Sequence, residues 1–207
     1  MLLDQANSVI AACRTSPRPP SSKRDRSLPS DVSRASRPAS EDTVDAAGRG
    51  FDELPRYQRV RLRGTYDSTR QILLDNMPSA TGRPGYRVVT PLERADGRGW
   101  VLVDRGWVSL GVTRDDLPDV AVDPGERELA GTLDELPIPG VRVGPAAAPG
   151  SAGWPRVLLF PTEADVESTL GVEVESRIIL LDAGVPDGFE RKWRPALGFG
   201  PERHLGY

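Results

Sequence analysis

Apolar and polar positions alternate most strictly in two stretches of the chain. Between Gln58 and Tyr66, Val60 and Leu62 alternate with Arg59, Arg61 and Arg63, the period-two pattern of a strand with one wet face. From Gly99 to Val108 the period persists, but Val101 and Val103 lie on one side while Trp100, Leu102 and Asp104 lie on the other. Both sides are largely apolar, which predicts a central strand buried on two faces. Shorter strands are predicted over residues 71–75, 86–92, 127–133 and 174–181. Asp96-Gly97 forms a tight turn into the central strand, and residues 79–85 are a turn cluster.

One segment has helical character. In residues 161–171, Thr162 is placed to cap, Glu163 and Asp165 suit the positive end of the dipole, and Gly171 ends the run. Val166 and Leu170 give it a single narrow apolar face. Short strands joined by short loops predict an α+β fold, mostly antiparallel, a meander or barrel-like sheet with one packed helix.

Composition sets the limits of that fold. The 207 residues are 38% hydrophobic and 28% charged, with 20 Pro and 21 Gly, which suits one domain of short elements and many turns. Residues 1–50 carry few large apolar side chains, so they are expected to be a disordered Pro/Ser/Arg-rich tail; residues 51–207 are expected to form the domain, with a long loop over 137–153. Within the tail, residues 10–13 resemble a lipoprotein cleavage box ending at Cys13, but no Lys or Arg precedes it. The most strongly apolar run is Ile178-Ile179-Leu180-Leu181, far short of a membrane span, so the chain is expected to be soluble.

Charge and side-chain counts exclude several chemistries. A net charge of −3 gives no reason to expect a nucleic-acid partner. One cysteine and one histidine exclude an internal disulfide and any site that needs two imidazoles. There is no nucleophile-elbow motif and no glycine-rich phosphate loop, and Asp115-Asp116 reads as a solvated turn. No enzyme is expected. The Arg59, Arg61 and Arg63 stripe reads either as a docking surface or as a solvated face, the latter preferred.

The charged Asp104-Arg105 pair inside the central strand must be satisfied, because burying an ion costs several kcal/mol unless it is paired. Arg105 either pairs with an acidic neighbour on an adjacent strand or grips a carboxylate from outside. Trp100 and Trp107 read as core residues.

The segment Val103-Asp104-Arg105-Gly106-Trp107-Val108 resembles the signature of the Surfeit-locus-one family, with Asp104 where Asn is more usual and Ser109 where Pro is expected. Gly82-Arg83-Pro84-Gly85-Tyr86, Pro91-Leu92 and the Asp-Gly turn agree in order and spacing, and the end of the chain, through His204 to Tyr207, is similar to the family's closing motif. Gly85, Tyr86, Pro91, Asp104, Gly106 and Trp107 are thus structural positions of the family motif. The resemblance implies an assembly factor for haem-copper cytochrome c oxidase, delivering haem a to the catalytic subunit I or its assembly intermediates. It implies His204 as a haem axial ligand and Arg105 as a propionate or partner contact. It also implies a place at the extracytoplasmic face of the plasma membrane, although the family's usual two spans have no counterpart in this sequence. The alternative is a soluble β-rich module that docks a protein and handles no haem.

Overall fold

A computed structural model of the chain describes residues 43–137 and 153–193. The strands in order are β1 (Val44–Asp45), β2 (Arg59–Tyr66), β3 (Ile72–Leu74), β4 (Gly85–Arg94), β5 (Trp100–Ser109), β6 (Glu126–Asp134), β7 (Arg156–Leu158) and β8 (Val174–Leu181). Among the described residues one α-helix, α1 (Glu163–Leu170), precedes β8, and a short 3-10 turn spans Phe51–Glu53.

The pairings β2–β6, β6–β8, β8–β5, β5–β4 and β4–β2 close a circuit, with β1 on β2, β3 on β4 and β7 on β3 at its margins. The result is one mixed eight-stranded sheet rather than a clean barrel. The α+β class and the dominance of antiparallel pairs agree with the pattern of the sequence. A simple meander does not: only β3, β4 and β5 follow one another as antiparallel neighbours. β8 slots between β5 and β6, parallel to β5. Parallel neighbours need a long crossover, which β6, β7 and α1 together provide.

Alternation along β5 sorts the core. Val101 and Val103 pack with Val60, Leu62, Leu129, Ile179 and Leu181, whereas Leu102 packs on the opposite face with Val89, Ile178 and Leu180. α1 covers that second face with Val166 and Leu170, each burial stabilising by about 1.5–3 kcal/mol. The helix starts as its sequence predicts. Thr162 Oγ1 accepts from the Asp165 N–H at 3.2 Å and the Asp165 carboxylate accepts from the Thr162 N–H at 2.8 Å, while Gly171 ends the helix at φ 72°.

The packed fold starts upstream of the boundary expected at Phe51. Val44 and Asp45 pair with Val60 and Arg61, and Ala46 is fully buried in the same core as Phe51. A two-residue strand shows no periodicity, which is why the sequence pattern passes over it. Residues 1–42, most of the loop expected at 137–153, and the segment that contains His204 lie outside the described residues, as does Cys13. Among the described residues, no helix is long and apolar enough to cross a membrane.

Candidate functional site

The site grows out of an irregularity in the β4–β5 ladder. Val89 pairs with Asp104 and Val88 with Gly106, so Arg105 is an extra residue on β5, a β-bulge. Gly106 takes φ +118° there and packs against the Glu190 carbonyl, a conformation suited to glycine. The bulge resets the alternation beyond it. Trp107 therefore pairs with Arg87 on the face that carries Asp104 and Leu102, and Arg105 turns to the opposite face.

Arg105 is only 2% exposed. Its Nε donates to the Asp187 carbonyl at 2.7 Å, and its Nη1 donates to Gln71 Oε1 at 2.8 Å and the Val120 carbonyl at 2.9 Å. Nη2 donates to the Ala121 carbonyl at 3.3 Å, and the guanidinium lies near the Tyr66 and Phe189 rings. Among the described residues Arg105 has no acidic ion-pair partner: it is satisfied by carbonyls, an amide and the Thr90 hydroxyl, while the nearby Asp187 carboxylate accepts from Arg127 at 2.9 Å. Burial lowers the Arg105 pKa, with Tyr66 and Asp187 opposing, and burial also raises that of the Tyr66 phenol. So placed, Arg105 ties β5 to the loops at 120–121 and 187 and does not face an outside carboxylate.

The ion pair within the ladder belongs to Asp104. Its carboxylate is fully buried, accepts from the Gly106 N–H at 3.0 Å and is ion-paired to Arg87 of β4. Burial pushes its pKa up, and the Arg87 guanidinium opposes that shift.

At Arg87 opens a cleft of about 170 Å³ lined also by Trp107, Glu190, Lys192, Trp193 and residues 78–80. Arg87 stacks over the Trp193 ring at 4.9 Å and Arg83 over Trp107 at 4.7 Å. Both indoles are fixed by their N–H groups, Trp107 on the Met77 carbonyl and Trp193 on that of Leu181, each at 2.8 Å. Glu190 links Arg83 at 3.0 Å and Lys192 at 3.2 Å. Gly85 makes room for this wall: a Cβ there would sit 2.2 Å from the Val108 carbonyl and 2.6 Å from the Trp107 ring.

The other motif residues are structural. Tyr86 is buried with Leu73 and Val157. Pro91 lies where one edge of β4 passes from β3 to β2, a place where a missing N–H breaks no ladder bond. Trp107 is buried, whereas Trp100 is half-buried beneath Arg70. Sequence reasoning passed over Arg87 and Trp193, although a charge inside the predicted strand at 86–92 was a signal of the same kind as Asp104. Of the arginine stripe, Arg59 pairs with Asp182, and Arg61 and Arg63 reach Glu128 at 3.9 and 3.3 Å. The stripe is a solvated face covered by acids.

A haem is poorly served by these residues alone. Among the described residues there is no histidine and no cluster of three or more His, Cys, Asp or Glu placed for a metal. The cleft is also smaller than the roughly 300–1,000 Å³ of ordinary ligand pockets.

Fold and cleft define a mixed-sheet α+β domain that presents an indole-walled, cation-lined surface site. The family model described as the SURF1 family matches residues 21–207, and the chain belongs to that family. The family is one of cytochrome oxidase assembly factors, generally membrane-associated, and is not an enzyme family. Comparison with curated proteins gives no match.

Proposed function

We propose that this chain assists assembly of haem-copper cytochrome c oxidase by receiving haem a and presenting it to the catalytic subunit I or its assembly intermediates, at the extracytoplasmic face of the plasma membrane. The observation that carries this reading is the family match, which runs to residue 207 and so includes His204. A neutral imidazole is the usual axial ligand of haem iron, and one histidine suffices for one axial position. His204 holds the iron in this reading.

The test is an absorbance titration of the full chain with haem, beside His204→Ala. Saturable one-to-one binding that needs His204 is the expected result; binding unchanged in the variant removes His204 from the mechanism. The second reading, a protein-docking module without haem handling, is favoured by one specific observation. The cleft between Trp107 and Trp193, at about 170 Å³, is smaller than the roughly 300–1,000 Å³ of ordinary ligand pockets. No haem binding by the parent chain would transfer the assembly role to that reading.

A further inference from the structure

Arg87 is the feature of the cleft that the fold does not use up. Nη2 is ion-paired to the buried Asp104 and Nε is buried without a hydrogen-bond partner, so in a side chain 21% exposed it is the Nη1 end that can meet a ligand. Nη1 carries two N–H donors, and a charge-assisted bond to a carboxylate is roughly twice as strong as a neutral one. Stacking on Trp193 uses the face of the guanidinium and leaves Nη1 at its edge for such a bond.

Size and charge narrow what can sit there. At about 170 Å³ the cleft lies below the roughly 300–1,000 Å³ of ordinary ligand pockets, so it takes the terminal group of a larger molecule. Arg83, Arg87 and Lys192 face two carboxylates, Glu190 and Asp104. One net positive charge remains, which matches a monoanion better than a phosphate dianion. The indole walls favour a short aliphatic stem behind the charge.

We propose that the cleft between Trp107 and Trp193 is a recognition site for a carboxylate carried on a short aliphatic arm, gripped by Arg87 with Lys192 beside it. Two sources carry that arm: a glutamate side chain of a protein partner, and a propionate of a tetrapyrrole. The site stands whether or not His204 ligates iron.

The experiment uses the full chain and acid probes beside their neutral counterparts. Acetyl-glutamate amide against acetyl-glutamine amide is read from the Trp193 and Trp107 indole N–H signals by NMR. Metal-free protoporphyrin IX against its dimethyl ester is read from tryptophan quenching; it offers no iron to His204, so His204→Ala leaves its binding unchanged and the two proposals fail separately. The acid of at least one pair binds about tenfold more tightly than its neutral form, the scale of one charge-assisted hydrogen bond. Arg87→Lys, which keeps the charge beside Asp104, and Lys192→Gln, at a 63% exposed side chain, each weaken that binding about fivefold or more. A response to the glutamate pair assigns the arm to a protein partner, and one confined to the porphyrin pair assigns it to a tetrapyrrole. Acid and neutral forms that bind alike in both pairs, or variants that bind like the parent, overturn the site.

Discussion

The two ends of the β4–β5 hairpin treat a buried arginine in opposite ways. At the turn end, Arg94 is 2% exposed and closed on every side: Asp96 accepts from Nε at 3.1 Å and Nη2 at 2.6 Å, and Glu175 from Nη1 at 2.8 Å. The Ala46 carbonyl takes another Nη2 bond at 2.8 Å, and the Phe51 ring lies over the guanidinium at 5.1 Å. At the open end, Arg87 has one carboxylate beneath it, an indole beside it and an unpartnered Nε. A saturated arginine clamps its own chain, here fastening the segment that follows β1 to the sheet. An unsaturated one is available to something else.

The turn end should therefore respond most strongly to loss of its cation. Arg94→Ala leaves Asp96 and Glu175 uncompensated, and removing one partner of a buried pair costs about 3–5 kcal/mol. Urea denaturation should show that loss; a deficit below about 1 kcal/mol would mean that water already serves these carboxylates, and the contrast between the two ends would collapse. Acid sharpens the same comparison. Burial by itself would raise the Asp96 pKa, but Arg94 and the N–H groups of Gly48 and Arg98 hold it down to about 2. A folded value below the ordinary carboxylate value means stability that is fully present above about pH 4 and lost as pH falls toward 2, about 2 kcal/mol in all. In Arg94→Ala the slope over that window should shrink.

At the open end the expected cost is smaller and comes from packing. Gly85→Ala drives a methyl group into the Val108 carbonyl and the Trp107 ring, and overpacking of this kind costs about 1–3 kcal/mol. Trp107 must shift to relieve it, so the cleft should lose carboxylate binding more than the domain loses stability. An Ala variant with parental stability and parental binding would show that the wall does not depend on Gly85.

Much of this architecture was legible along the chain because its determinants are local. The period-two runs locate β2 and β5, and Thr162 as cap and Gly171 as stop fix both ends of α1. The site was less legible because its partners are remote. Arg94 reaches Glu175 and Ala46, and Arg87 meets Trp193, across separations that no spacing rule connects. The bulge hid the rest: read with an unbroken period, Trp107 falls on the Arg105 face, whereas the extra residue puts it beside Arg87 and Asp104. Gly106, a glycine inside a strand, was the local sign of that reset.

The smallest effect on stability, and the one that speaks most directly to the contrast, belongs to Asp104→Asn. Asn keeps an acceptor for the Gly106 N–H and removes a charge that is fully buried, so stability at pH 7 should change by less than about 1 kcal/mol. The pH dependence should change more. Burial raises the folded pKa of Asp104 against the opposing pull of Arg87, so the parent binds a proton more readily folded than unfolded and loses stability as pH rises from the ordinary carboxylate range through that raised value. The variant lacks this loss, which has the opposite sign to the one at Asp96. It also releases Nη2 of Arg87, leaving the guanidinium free of its internal partner. Carboxylate probes should then bind Asp104→Asn several-fold more tightly than the parent, since the fork no longer shares its charge. Weaker binding would mean instead that Asp104 holds Arg87 in position for the cleft, and that the open end needs its one internal acid as much as the closed end needs its two.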